Sequence, residues 1–351
     1  MIKVLVVDDS RVAREGLARL LSADPEVQVV ATASNGQEAL DLTGRERPDV
    51  ITMDLHMPVM NGYEATRRIM ETFPTPIVIV SGSSAASELV GPFRAFEAGA
   101  LNVVPKPAGE GHPLHKMAAD ELRRAVKLMA EVKVVRRWPR GAKEKPPLSP
   151  APEVSVGLFS QNVEAIAIGA STGGPQTLQA ILSSLRRDFT IPLLIVQHMA
   201  PGFIQGFAEW LSEVSNLRVG LVCQDEPIRP GRVYLAPDGF HMGVGPGPRI
   251  VLGRTESPGE MQPSVNYLFR SMALRFGARC AGVLLTGMGK DGAEALKLMK
   301  QAGALTIAQD EASSIVHGMP GEAIKLGAAT WVLSPENIAA AFNGWVQKRD
   351  K

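Results

Sequence analysis

The sequence predicts two doubly wound α/β domains in tandem: a (βα)5 unit, then a mainly parallel α/β sheet with an antiparallel hairpin. Three observations carry this. Short apolar runs alternate with helical repeats over residues 1–130 and again from Val163 onward, the rhythm of parallel strands with both sheet faces covered. A proline-rich basic stretch from Trp138 to Pro152 separates the two series and has the composition of a solvated tether. Glycines and prolines crowd residues 237–248, which predicts a hairpin that interrupts the second series.

In the first series the expected strands are Val4–Val7, Val27–Ala31, Val50–Met53, Ile77–Val80 and Leu101–Val104. Between the first two, Ala13, Leu17, Leu20 and Leu21 fall on one face of a helix over Ser10–Ala23. A last amphipathic helix is expected from about Leu122 to Arg136. The second series offers Ala165–Ile168, Leu193–Val196, Arg218–Val222, Arg232–Leu235, Val283–Thr286 and Ala304–Ile307. The expected boundaries are residues 1–125 and 161–347, joined by a helix end and linker over 126–160.

At 351 residues the chain is long enough for two ordinary cores, and 45% apolar with 21% charged residues is a globular balance. A net charge of +1 argues against nucleic acid or an anionic membrane as partner. The longest apolar runs, such as Pro192–Val196, are far shorter than the ~20 residues of a membrane span, so no direct membrane insertion is expected. The chain enters its first strand without a signal-peptide pattern, which predicts a cytoplasmic protein. Its two cysteines, Cys223 and Cys280, lack metal-ligand spacing, so neither disulfides nor zinc are expected.

Chemistry in a parallel sheet collects at the carboxyl ends of the strands. In the first series those ends carry Asp8 and Asp9, Asp54, Ser81 and Lys106. A single acid at a loop start is usually a surface residue. Three carboxylates on one rim repel each other, however, unless a hard oxygen-liganded cation such as Mg²⁺ sits among them. A hydroxyl and an ammonium opposite would bind the oxygens of a phosphoryl group, with Asp54 as its acceptor. The runs Val7-Asp-Asp-Ser10, Met53-Asp-Leu-His-Met-Pro-Val-Met-Asn-Gly62 and Val104-Pro-Lys-Pro107 resemble the receiver domain of bacterial response regulators. The resemblance implies that a histidine kinase phosphorylates Asp54, with Mg²⁺ held by Asp8, Asp9 and Asp54. It departs at Val103, where receivers often carry an aromatic that reports phosphorylation.

The second series opens on Gly169-Ala-Ser-Thr-Gly173, between a strand and a helix. This is the setting of a nucleophile elbow, and equally of a phosphate cradle. A dinucleotide fold would need G-x-G-x-x-G and an acid ending its second strand; here that strand ends in Gln197-His198. A serine needs a base. His198 follows the strand next to that of Ser171, whereas His241, expected in an exposed hairpin, and His317, expected in a loop, read as ordinary packing histidines. The orienting acid is Asp291 or Asp310, which periodicity does not separate. Glycines around Met288 would let its amide approach a reacting carbonyl, so Met288 and Thr172 are the candidate oxyanion donors.

Gly169-Ala-Ser-Thr-Gly-Gly174, Val196-Gln-His-Met199, Tyr234-Leu-Ala-Pro237, Pro263-Ser-Val265, Leu285-Thr-Gly-Met-Gly-Lys-Asp-Gly292 and Gln309-Asp-Glu-Ala-Ser313 resemble the signature blocks of the chemotaxis protein-glutamate methylesterases, the CheB family. Two positions depart, Asn266 where an aspartate is usual and His317 where an aromatic is common. The resemblance implies Ser171 as nucleophile, His198 as base and Asp291 as its acid. It also implies hydrolysis of glutamate methyl esters on chemoreceptors, with deamidation of receptor glutamines, no cofactor in the esterase site, and occlusion by the unphosphorylated receiver. A DNA-binding output would need a basic helix-turn-helix, for which the second half is too large and too α/β. A non-catalytic phosphate-binding module leaves the histidine and the aspartate on the same rim unexplained.

Overall fold

The computed structural model describes residues 1–82, 90–109, 111–113, 115–132, 134, 162–254 and 262–346. The chain separates into two compact units, Met1–Pro146 and Pro147–Lys351. The expected linker, Trp138 to Pro152, lies outside the described residues.

The first unit is a five-stranded parallel sheet in the order β2-β1-β3-β4-β5: β1 Ile2–Val7, β2 Val27–Ala33, β3 Val50–Met53, β4 Ile77–Ser81 and β5 Asn102–Pro105. Its helices are α1 Arg11–Ser22, α2 Gly36–Glu46, α3 Gly62–Thr72, α4 Gly91–Ala98 and α5 His115–Ala130. The central strands read as unbroken apolar runs because helices cover both faces: Val4 to Val7, Ile51 and Ile77 to Val80 are all buried. Ser10, Asn35 and Asn61 accept hydrogen bonds from the first turns of α1, α2 and α3, so each of these helices starts at a capping residue. The last helix begins seven residues earlier than expected, at His115; its buried face includes Ala118, Ala119, Leu122, Ala125, Val126 and Met129. Alanines carry its first turns, too weak an apolar signal to mark the start.

The second unit holds a seven-stranded parallel sheet in the order β14-β13-β12-β6-β7-β9-β8. Its strands are β6 Ala165–Ala170, β7 Leu193–Gln197, β8 Arg218–Leu221, β9 Arg232–Leu235, β12 Cys280–Leu284, β13 Leu305–Gln309 and β14 Trp331–Leu333. The hairpin is real but stands apart as a two-stranded antiparallel sheet, β10 His241–Val244 with β11 Ile250–Gly253, so its second strand falls beyond the expected span. The helices are α6 Gly174–Ser183, α7 Ile204–Val214, α8 Val265–Phe276, α9 Ala293–Gln301, α10 Met319–Lys325 and α11 Pro335–Val346. β12 ends two residues before the expected Thr286, because the Thr286 amide leaves the ladder to donate to the Gln309 side chain at 2.8 Å. The three-residue β14 is too short to show a period, and sequence reading did not find it.

Both sheets have a switch point. In the first, β2 lies on one side of β1 and β3 on the other; in the second, β7 lies on one side of β6 and β12 on the other. Loops leaving the carboxyl ends there diverge and open a crevice. Asp8, Asp9, Asp54, Ser171 and His198, singled out from the sequence, directly follow these strands.

Candidate active site

In the first unit, Asp8 and Asp9 follow β1 and Asp54 follows β3. One carboxylate oxygen from each lies within 4.8 Å of the others. Asp8 Oδ1 accepts the Ser10 amide at 3.0 Å and Asp54 Oδ1 the Leu55 amide at 2.9 Å, which aims each second oxygen toward the shared centre. Lys106 Nζ sits 2.7 Å from Asp8 Oδ2 and 3.5 Å from Asp54 Oδ2. The nearer contact is an ion pair off the line of a hydrogen bond, so the buried Asp8 Oδ2 keeps its acceptor capacity. An unfilled, buried carboxylate oxygen among three acids fits a hard divalent cation. Burial pushes the Asp54 carboxyl above its ordinary range; Lys106 pulls the other way, and the charges of Asp8 and Asp9 reinforce burial. Ser81 ends β4 on the same edge and is buried, and its carbonyl accepts the Lys106 amide at 2.8 Å. Val103 is a buried β5 residue.

In the second unit, β6 and β7 pair through Ala170 and Gln197, so Ser171 and His198 are the next residues on adjacent strands. The His198 amide donates to the Ala170 carbonyl at 2.9 Å, the last rung between them. Ser171 then turns away, its amide donating to the Thr286 carbonyl at 3.0 Å. The Gly287 backbone packs directly on it: a methyl there would sit 2.6 Å from Ser171 Cβ, which requires glycine. This close approach brings Met288 beside the serine. Neither the Met288 nor the Thr172 amide donates to any described residue, leaving both available for an oxyanion. The Ser171 hydroxyl makes no hydrogen bond among the described residues; serine–base contacts are often loose before substrate arrives.

His198 Nε2 and Asp291 Oδ2 are 3.0 Å apart. Asp310, the other acid read from the sequence, turns its carboxylate into its own turn, accepting the Ser313 amide at 3.1 Å and the Ser313 hydroxyl. Asp291 is held by much more than the histidine. Its Oδ2 also accepts the Val265 amide at 2.7 Å, and its Oδ1 accepts the Asn266 amide and the Ser264 hydroxyl, each at 3.0 Å. The carboxylate thus caps the start of α8, where the helix dipole favours negative charge. Burial alone would push its pKa up, but the His198 hydrogen bond and charge, then the two helix amides, outweigh this and hold it below the usual range. Glycine at 169 is what lets α8 start here: a Cβ on β6 would meet Val265 Cγ1 at 2.3 Å.

Asn266 returns the favour. Its Oδ1 accepts the Ala295 amide at 3.2 Å, in the first turn of α9, so the two helices cap one another across the site. The departure at 266 is therefore placed behind the acid. His241 corrects the expectation of exposure: it is 1% exposed, stacks on Tyr267 with ring centroids 4.9 Å apart, and accepts the Ser264 amide on Nδ1 at 3.1 Å. It is a packing histidine, as expected, that happens to hold the turn carrying the acid's donors. His317 is half-buried and pairs with Ser314 Oγ at 3.3 Å. Ser264, Val265 and Asn266 were missed as partners of Asp291. A serine before an apolar helical run is a capping signal, but not one that says which acid it will meet.

Residues 166–342 match the CheB methylesterase family model, and residues 4–118 match the response regulator receiver domain. A protein-glutamate methylesterase/protein-glutamine glutaminase of Geobacter metallireducens is 52% identical over 350 residues, covering 99% of this chain and all of its own. One from Nitrosospira multiformis is 53% identical, covering 99% of this chain and 98% of its own. The crystal structure of the Thermotoga maritima CheB methylesterase catalytic domain is 34% identical at a TM-score of 0.50, matching 52% of this chain and 98% of that one. With these matches running the length of both units, the chain belongs to the CheB methylesterase family and carries a response regulator receiver domain ahead of its catalytic part.

Proposed function

We propose that this chain is a phosphorylation-controlled serine hydrolase that removes methyl esters from glutamate side chains of chemoreceptors and deamidates receptor glutamines. The observation that carries the reading is the fixed pair His198–Asp291 at the rim where Ser171 leaves β6. With Nε2–H committed to Asp291, Nδ1 is the ring nitrogen left to take the Ser171 proton. Ser171 Oγ attacks the ester carbonyl. The Met288 and Thr172 amides receive the oxyanion, and the protonated His198 returns its proton to the departing methoxy oxygen, releasing methanol. Water, deprotonated by the same nitrogen, opens the acyl-enzyme and leaves a carboxylate. With glutamine the leaving group is ammonia.

The receiver supplies control. Residues 1–125 form this domain and 161–347 the catalytic one, with 126–160 as the connection. Asp54 accepts a phosphoryl group from a chemotaxis-type histidine kinase, and Ser81 and Lys106 bind its oxygens. Asp8, Asp9 and Asp54 would hold Mg²⁺, which supplies charge neutralisation during phosphoryl transfer. Among the described residues no helix is long and apolar enough to cross a membrane, and the site of action we assign is the cytoplasm.

The test is methanol release from a methylated receptor fragment, with and without a small-molecule phosphodonor. Ser171→Ala should lose turnover at least ~10³-fold with its melting temperature unchanged. A folded Ser171→Ala protein that still releases methanol at the wild-type rate rules out the serine mechanism.

A further inference from the structure

Gln197, the last residue of β7, is 2% exposed and takes no part in the chemistry above. Its Nε2 donates to the carbonyl of Ser171 and to the carbonyl of His198, each at 2.8 Å. Both neighbours are carbonyl oxygens, so this end of the amide must be the nitrogen. The other end, Oε1, is turned against Gly174 at the start of α6 and meets no donor among the described residues. A methyl at 174 would lie 2.1 Å from it. A buried acceptor without a donor is costly, and this cost is set against the two hydrogen bonds that the nitrogen end makes.

We propose that Gln197 is a positioning residue that fixes the nucleophile and the base relative to one another. The backbone ladder between β6 and β7 stops at the rung from His198 N to Ala170 O. Beyond it the chains part, one toward α6 and the other toward α7. The single planar amide of Gln197 adds a side-chain rung one step past that end, tied at once to the residue bearing the hydroxyl and the residue bearing the imidazole. The opposite side of the site has a counterpart. Gln309 ends β13, accepts the Thr286 amide on Oε1 at 2.8 Å, and donates to the Ser313 carbonyl at 2.9 Å. Its two ends are both satisfied, as expected of a bracing residue, whereas Gln197 leaves one end unpaired to keep its grip on the two carbonyls.

The inference rests on Ser171 and His198 being nucleophile and base. Gln197→Met keeps the length and volume of the side chain and removes the donor. We expect kcat to fall about 10- to 100-fold, the loss typical of a misplacement near 1 Å, with KM unchanged. Inactivation by a serine-directed phosphonate, which reads the Ser171–His198 alignment without receptor, should slow by the same factor. The melting temperature should move by no more than about 4 °C. A folded Gln197→Met protein with kcat within twofold of wild type, or one that changes only KM, overturns the proposal. Gly174→Ala supplies a second route if the first variant does not fold, since it retains Gln197 and its methyl would meet Gln197 Oε1 at 2.1 Å, pushing the amide from its other side, as well as Ala170 Cβ at 2.8 Å. It should slow the phosphonate reaction similarly, and a wild-type rate in that variant also overturns the proposal. Ser171→Ala run in parallel separates the two readings. If it is active, the serine mechanism fails; if it is inert while Gln197→Met is fully active, only the positioning role fails.

Discussion

Replacing Asp291 by asparagine changes one oxygen for one NH₂ group, and the four donors around it dictate the outcome. Oδ2 receives His198 Nε2 and the Val265 amide; Oδ1 receives the Ser264 hydroxyl and the Asn266 amide. If the asparagine oxygen takes the first pair, its NH₂ faces the Asn266 amide, and a buried donor goes unpaired at a cost of about 1–3 kcal/mol. If it takes the second, NH₂ faces His198, and the imidazole must place its proton on Nδ1, where it can no longer accept from Ser171. Either way the carboxylate charge 3.0 Å from the developing imidazolium is lost. At an effective dielectric constant of about 20, that attraction is on the order of 4 kcal/mol, or about 10³-fold in rate. The expected result is kcat/KM down ~10³- to 10⁴-fold in methanol release, and a melting temperature lower by roughly 3–10 °C. The stability loss has a pH signature. Because the folded pKa of Asp291 is depressed below 3.8, its contribution is complete above that value and is lost as pH falls through the folded pKa. The difference between wild type and variant should therefore shrink as pH falls below about pH 4. A folded Asp291→Asn protein within tenfold of wild-type kcat/KM would refute the assigned role of the acid.

Two further outcomes concern the receiver. An isolated fragment beginning at Gln161 should release methanol faster than the unphosphorylated full chain; tenfold activation needs a differential interaction of only about 1.4 kcal/mol, and equal rates would count against inhibition by the receiver. Mg²⁺ at about 100 times its Kd should stabilise the first unit by about 2.7 kcal/mol, seen as a raised melting transition; Asp54→Asn should lose most of that shift along with phosphodonor activation, while keeping basal esterase activity.

Much of this was legible in the chain, and the reasons differ by residue. The strands β3 and β9 have the limits read from their apolar runs, because each is bounded by turn residues. Both switch points could be anticipated because acids, hydroxyls and a histidine stood where such runs stopped. Periodicity could not separate Asp291 from Asp310, since both follow parallel strands of one sheet; they differ in the contact with His198 and in the arrival of α8, which no local pattern reveals. The burial of His241 was hidden for a related reason. A four-residue strand among glycines and prolines reads as surface, and what covers it is the Tyr267 ring from another element. The amide of Gln197 left no signal at all, because its partners are backbone carbonyls, which every residue has.

The two units use one architecture for opposite electrostatic ends. Each places aspartates at the carboxyl rim of a parallel sheet, beside the strand where the order reverses. Asp291 is surrounded by donors, two of them helix amides, and is held charged; nothing further can bind to it, which is what an orienting acid requires. Asp54 has one amide, one ammonium at 3.5 Å and two acids for company, and burial raises its pKa. Its second oxygen faces the charges of Asp8 and Asp9, a repulsion that Lys106 offsets in part and that a bound cation would relieve further. The fold supplies the rim in both cases. What suits one carboxylate to a fixed role and the other to the reactive role proposed for it is the number of donors that the neighbouring loops deliver to it.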